Sequence, residues 1–204
     1  MEYTQNKVEV VIAHYHENLD WLRNINTKYK LNIITKAGIP YDVPPNRGNE
    51  ASSYLQFIIQ RYDSLPDYTI FVHGHRSDWH HKGNMDEKIN SLSFDHPYYN
   101  INDIKAEMKE NLGLIHIENY PKFSFILPQM EEILGFELKG TTPLLWRPSA
   151  QFYVSKDTIR SLPLETYKKL YDLLMTTPLE TVWSGRVFEW TWHYIFTRKF
   201  IDVN

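Results

Sequence analysis

Within nine residues, His73-Gly74-His75-Arg76-Ser77-Asp78-Trp79-His80-His81, the chain gathers four imidazoles, a carboxylate, a guanidinium and an indole. They follow Tyr68-Thr69-Ile70-Phe71-Val72, a β-branched and aromatic run that reads as a buried strand. In α/β proteins the loops beyond the carboxyl ends of strands are where ligands bind. Imidazole and carboxylate together suit a divalent cation or a phosphate-bearing anion. Alternate residues at a strand end share a side, so His73 and His75 can face one ligand, and a turn can return Asp78 to the same point. His80 and His81 read as surface residues.

Further groups with chemistry lie elsewhere. His14-x-His16 ends the first apolar run and Lys36 ends the second, so in a parallel sheet both reach the edge that carries His73. Arg47 stands beside a helix start, where a guanidinium and free N–H groups can clamp phosphate. Glu50 either binds there or simply favours the positive end of the helix dipole. Glu189 and His193, four apart, share a helix face beside Phe188, Trp192, Ile195 and Phe196. A carboxylate against such a surface can have a raised pKa and act as a general base, or else pair with His193 on the helix surface. Arg186 can bring its charge to the same cleft. No G-x-S-x-G, Walker A or G-x-G-x-x-G pattern occurs, so those readings lack their motifs.

The elements that must hold these groups follow an α/β pattern. Val8 to Ala13 and Leu31 to Thr35 read as strands, with a short helix capped by Asn18 between them. A turn-rich loop from Gly38 to Asn49 leads into a helix whose apolar stripe is Ala51, Tyr54, Leu55, Ile58, Ile59 and Tyr62, with Asn49 as its N-cap. Gly83 to Asn102 reads as an extended loop or lid. Leu114 to Ile117, Leu144 to Trp146 and Gln151 to Val154 have strand character. Ser155 caps a short helix, and further helices are expected over Leu164 to Leu174 and Arg186 to Phe200. The expectation is a single domain over residues 1–204: Rossmann-like α/β, with a mostly parallel central sheet flanked by helices.

Composition narrows the function. The 204 residues are 42% hydrophobic and 23% charged, as in ordinary globular proteins. A net charge of -3 gives no reason to expect nucleic acid as a partner. No apolar run reaches the roughly 20 residues of a membrane span, so a cytoplasmic protein is expected. Without cysteine there is no thiolate metal site and no cysteine nucleophile. Aromatic residues reach 15%, enough to furnish both a core and a sugar or nucleotide platform.

Five stretches together carry a resemblance: Val11 to Leu22, Asn49-Glu50-Ala51 with Tyr54-Leu55, Asp67 to His75, Gln151 to Val154, and Glu189-x-x-Trp192-His193-Tyr194-Ile195-Phe196. Over most of its length the chain resembles a domain family of fungi and large viruses that is similar to glycosyltransferases of the GT-A type, including a glycosyltransferase domain of a large algal virus. The resemblance implies a GT-A-like fold and a nucleotide-sugar donor, most naturally a UDP-sugar, at the carboxyl edge of the sheet. It also implies Mn or Mg bridging the diphosphate through a D-x-D motif. This chain departs there, with one acid, Asp78, as heir to the metal ligand and His75 beside it. Glu189 takes the position of the base that activates a glycan hydroxyl, with Asp78 as the second catalytic residue. The donor site draws on His14, His16, Lys36, Arg47, Glu50, His73, His75 and Arg76, on Trp79, Trp146 and Tyr153 as stacking platforms, and on Gln151 and His193. The resemblance implies transfer of a hexosyl or deoxyhexosyl residue, and the chain can be part of a longer multidomain protein.

Two other readings stay open. His73-x-His75-x-x-Asp78-x-His80 is one residue from the H-x-H-x-D-H signature of metallo-β-lactamase-type hydrolases, with His116 and His193 as distant ligands to zinc or a metal pair. A carbohydrate-binding module without catalysis can also use the aromatic residues, but needs no such cluster at a strand end.

Overall fold

In the computed structural model, residues 8–103, 106–108, 123–138, 144–146 and 150–198 are described. Strands β1 (Val8–His14), β2 (Lys30–Thr35) and β3 (Tyr68–His73) pair in parallel, with β1 in the middle. Then β7 (Phe152–Ser155) pairs antiparallel with β3 on one side and with β4 (Tyr98–Asn100) on the other. The order is β2-β1-β3-β7-β4; β5 (Ala106–Met108) and β6 (Leu144–Trp146) form a separate antiparallel pair. The sheet is therefore mixed, not mostly parallel as expected. The chain enters β7 from the edge where β1 and β3 end, so it must run back against its neighbours, a pairing that needs no crossover helix.

Strand alternation decides which face each side chain joins. Val11, Ala13, Phe71, Phe152 and Val154 point to one face. They are buried there against α1 (Glu50–Arg61), α3 (Phe123–Leu134), α5 (Leu164–Thr176) and α6 (Thr181–Thr197). Val10, Ile12, Ile70, Val72 and Tyr153 point to the other, against Trp21 and Leu22 of the 3-10 turn Asp20–Asn24 and against Met85 and Ile89 of α2 (Met85–Asn90). The short α4 (Lys156–Arg160) is capped as expected by Ser155, whose hydroxyl accepts from the Thr158 N–H at 3.2 Å. No helix among the described residues is long and apolar enough to cross a membrane.

Several boundaries differ from the sequence expectation. The stretch expected as a lid, Gly83 to Asn102, contains both α2 and β4. The final helix starts at Thr181, not Arg186, because Asp42 from the 37–49 loop accepts both the N–H and the hydroxyl of Thr181 (2.9 and 2.5 Å) and so caps it from a distance. Asn49 precedes α1 but makes no side-chain cap, since its φ of 50° turns it away from capping geometry. The strand expected at 114–117 and the end of the last helix at 199–200 lie outside the described residues.

Glycine decides how closely α1 approaches the layer above it. Gly48 has φ +70°, and a Cβ there would meet Leu174 of α5 at 2.4 to 2.7 Å. Gly48→Ala should therefore destabilise the fold by about 2–4 kcal/mol, from the left-handed backbone and from overpacking. Denaturant unfolding measures this; a change under ~0.5 kcal/mol would contradict the packing described.

Candidate functional site

Because β1 lies between β2 and β3, the strand order reverses at the β1/β3 boundary, the place where open α/β sheets hold ligands. A cavity of about 250 Å³ opens there. His14, Lys36, Glu50, His73, His75 and Asp78 all line it, so six of the residues selected from sequence meet at one place. Glu17, Tyr41 and Ser53 line it too and were not selected. Glu17 stands one residue beyond His14-x-His16, which was the available signal; Tyr41 and Ser53 carried none.

Parity on β3 sets the core of the site. His73 shares the face of Phe71, so its ring turns toward the α1 side of the sheet. There its Nε2 lies 4.0 Å from Glu50 Oε2. Across the loop, Asp78 Oδ2 lies 3.4 Å from His80 Nδ1, and His73, Asp78 and His80 bring their ligand atoms within 4.8 Å of one another. His73 Nε2, His80 Nδ1 and Glu50 Oε1 are all buried with no hydrogen-bond partner. Buried polar atoms are nearly always paired. The imidazoles of His73 and His80 and the carboxylate of Asp78 are the donor types that a divalent transition-metal ion takes.

His80 and His81 are thus not surface residues: they are 7% and 6% exposed. The Asp103 N–H holds the His80 carbonyl at 3.1 Å. Gln151, fully buried, donates to His81 Nδ1 at 3.1 Å and to Asn102 Oδ1 at 3.0 Å. Gln151 therefore positions this loop and does not touch the cavity. His75, expected as the second ligand, lines the cavity but is half-exposed, 3.6 Å from Glu17 Oε1. His80 takes its place in the donor cluster.

The opposite wall is built on Lys36. Its ammonium donates to the Asn49 carbonyl at 2.5 Å and to the Ser52 hydroxyl, tying the end of β2 to the first turn of α1. Burial lowers its pKa to about 8, against the pull of Glu50. Burial, helped by His80, brings His73 down to about 3, so the ring is neutral and its nitrogen free to coordinate. Burial and then the charge of Glu189 push the Glu50 carboxyl well above the ordinary range. Glu189 is raised as well, by burial first and by Asp78, with Arg186 opposing. It lies on α6 outside the cavity lining, near enough for its charge to act on Glu50 and that of Asp78 to act on it, and the Arg186 guanidinium lies over the Trp183 ring at 5.3 Å. For Glu17 burial works upward, but N–H groups of its own loop and the histidines His75 and His14 win and hold it low.

None of the remaining expected site residues that are described lines the cavity. Arg47 is no phosphate clamp: it donates to the carbonyls of Met175 (2.9 Å) and Leu179 (2.7 Å), joining the α1 entry to the end of α5. Arg76 makes a two-bond pair with the buried Asp86 at 3.0 and 3.1 Å. His16 points outward, its ring tilted against that of Tyr15, and Trp79 is 75% exposed outside the cavity. His193 packs edge-on to Tyr98 within the core, and Tyr153 is buried on the α2 face. The Trp146 side chain and His116 lie outside the described residues.

Residues 10–99 and 124–203 match a family described as a protein of unknown function (DUF3431). The chain belongs to this DUF3431 family. The first DUF3431 stretch holds every cavity residue named above, and the second holds Glu189. No curated protein and no solved structure matches the chain.

Two outcomes follow from this geometry. His80→Ala should weaken divalent-ion binding, measured calorimetrically, by at least about tenfold, whereas His75→Ala should leave most of it. For pH, a carboxyl whose folded pKa is raised destabilises the native state as pH climbs from its unfolded value to its folded one. With chelator present, Glu50→Gln should thus melt several degrees above wild type at pH 8, and the difference should vanish near pH 4.

Proposed function

We propose that this chain is a divalent-cation-dependent glycosyltransferase, moving a hexosyl or deoxyhexosyl group from a nucleotide diphosphate sugar to a glycan hydroxyl. The observation that carries the reading is the meeting of the β1, β2 and β3 ends at one cavity, with His73, Asp78 and His80 on one side and Lys36 and Glu50 on the other. The likeness of its motifs to GT-A-type enzymes supports the same reading, with UDP as the favoured nucleotide and the cytoplasm as the place of action.

Charge explains why a cation belongs in it. Among the described residues that line the cavity, Lys36 is the single lysine and there is no arginine, while Glu17, whose carboxyl is held low, and Asp78 add acids. A bare diphosphate meets little positive charge there. A divalent cation on His73, Asp78 and His80 would neutralise the charge gathering on the departing diphosphate. Glu189, half-buried, takes the acceptor proton. The acceptor oxygen forms its bond to the anomeric carbon as the carbon–oxygen bond to the diphosphate breaks, and that electron pair leaves with the diphosphate. Glu189 must be ionised for this step, so its raised pKa makes activity climb with pH through neutrality. Tyr41, 54% exposed at the rim, offers the platform for base or sugar that Trp79 does not.

A zinc-dependent hydrolase is the second reading, favoured by one observation: His80 joins His73 and Asp78, a donor set that suits zinc. A thermal-shift panel of nucleotide sugars with and without Mn separates the two. Transfer predicts a rise for one nucleotide sugar that needs Mn and is lost in Asp78→Asn. No rise with any donor, together with stoichiometric zinc surviving dialysis, would overturn the transferase reading in favour of hydrolysis.

A further inference from the structure

Ser53 puts a hydroxyl on the cavity wall that nothing among the described residues employs. The residue is 1% exposed, and its Oγ is buried with no hydrogen-bond partner. Its neighbour Ser52, by contrast, donates to the Arg47 carbonyl at 2.6 Å and accepts from Lys36. An unpaired buried hydroxyl destabilises a fold, and alanine would fill the same helical position with better propensity. A ligand that supplies the missing partner offsets that cost.

Position says which part of a ligand this is. Glu50, Ser53 and Phe57 run down one face of α1 at i, i+3 and i+7. The first two line the cavity, while Phe57 belongs to the core, edge-on to Phe71 at 6.0 Å. Ser53 is therefore the polar group nearest the core on that face. Ala13, in register with His73 across the sheet, lines the cavity as well. At about 250 Å³ the cavity is smaller than the roughly 300–1,000 Å³ that houses a drug-sized ligand, so it holds only part of a nucleotide diphosphate sugar. The cation side takes the diphosphate. The α1 side offers Ser53 and Asn49, and Lys36 there is already tied to Asn49 and Ser52. An uncharged group that bears hydroxyls suits that wall better than a second anion.

We propose that Ser53 is a specificity-determining residue, whose hydroxyl pairs with the 6-hydroxyl of the transferred sugar and so selects hexosyl over 6-deoxyhexosyl donors. The inference rests on the transferase reading given above and narrows it. The 6-hydroxyl is the one hydroxyl of a hexopyranose held off the ring by a carbon. It can reach a wall backed by Ala13 and Phe57 without the ring having to follow. A 6-deoxy sugar would set a methyl group against the buried Ser53 oxygen and leave it unpaired.

UDP- and GDP-hexoses, their 6-deoxy counterparts and the bare diphosphates are the probes, titrated calorimetrically into the full chain with Mn. Wild type should bind one hexose donor at least about tenfold tighter than its 6-deoxy counterpart. Ser53→Ala should bring the two within about twofold of each other, with the bare diphosphate bound as in wild type. Without ligand, Ser53→Ala should melt no lower than wild type, because the fold loses no hydrogen bond. Ser53→Cys, close in shape and only a weak donor, carries the comparison if the alanine variant does not fold. A hexose preference that survives in the Ser53 variants, or equal binding of both donors by wild type, would overturn the assignment and leave the transferase reading standing. Wild type that binds no nucleotide sugar would overturn both.

Discussion

Lys36 gives its ammonium to the Asn49 carbonyl and the Ser52 hydroxyl, and the rest of the site is arranged around that tether. It joins the end of β2 to the first turn of α1. Without it, the α1 N-terminus has no reason to stand over the carboxyl ends of the strands, and Glu50 would not reach His73. The tether is itself supported from above. Arg47 ties the same bend to α5, Gly48 lets Leu174 come close, and Asp42 caps α6. Lys36, Arg47 and Asp42 together thus connect the sheet to three helices.

Electrostatics and packing pull in opposite directions here. Packing wants the carboxyl edge closed by α1 and α6, which brings Glu50 and Glu189 under cover. Burial then raises both carboxyl groups and holds His73 neutral. Structural regions of this protein handle charge differently: Glu9, at the far end of β1, is met by Arg61, Lys30 and Asn32. The acid at one end of the sheet is thus fully paired, whereas at the other end Glu50 Oε1 is buried without a hydrogen-bond partner.

Much of this was legible in the residues. The three parallel strands and α1 announce themselves by apolar runs and a helical stripe, and with them the convergence of His14, Lys36 and His73. What stayed hidden was tertiary. The direction of β7 depends on which edge the chain enters from, not on its residues. Three-residue β4 is too short for a periodic signal. His80 and Trp79 are neighbours in a polar loop, and only the tertiary fold, in which Asp103 holds the His80 carbonyl, buries one ring and leaves the other outside. Arginine at a helix entry looks the same in sequence whether it serves a ligand or, like Arg47, two carbonyls. Glu50 shows the converse, a helix-opening acid whose ordinary explanation in sequence conceals its burial.

Gly74 has a mechanical meaning. Its missing Cβ leaves room for the Glu17 carboxyl, which would otherwise be 2.9 Å away, while its carbonyl accepts from the Trp21 indole at 2.8 Å. The turns after β1 and β3 are therefore interlocked, each filling space the other leaves. The facing rim is held more lightly, the Tyr41 ring being tied to Asn49 by one 3.4 Å bond.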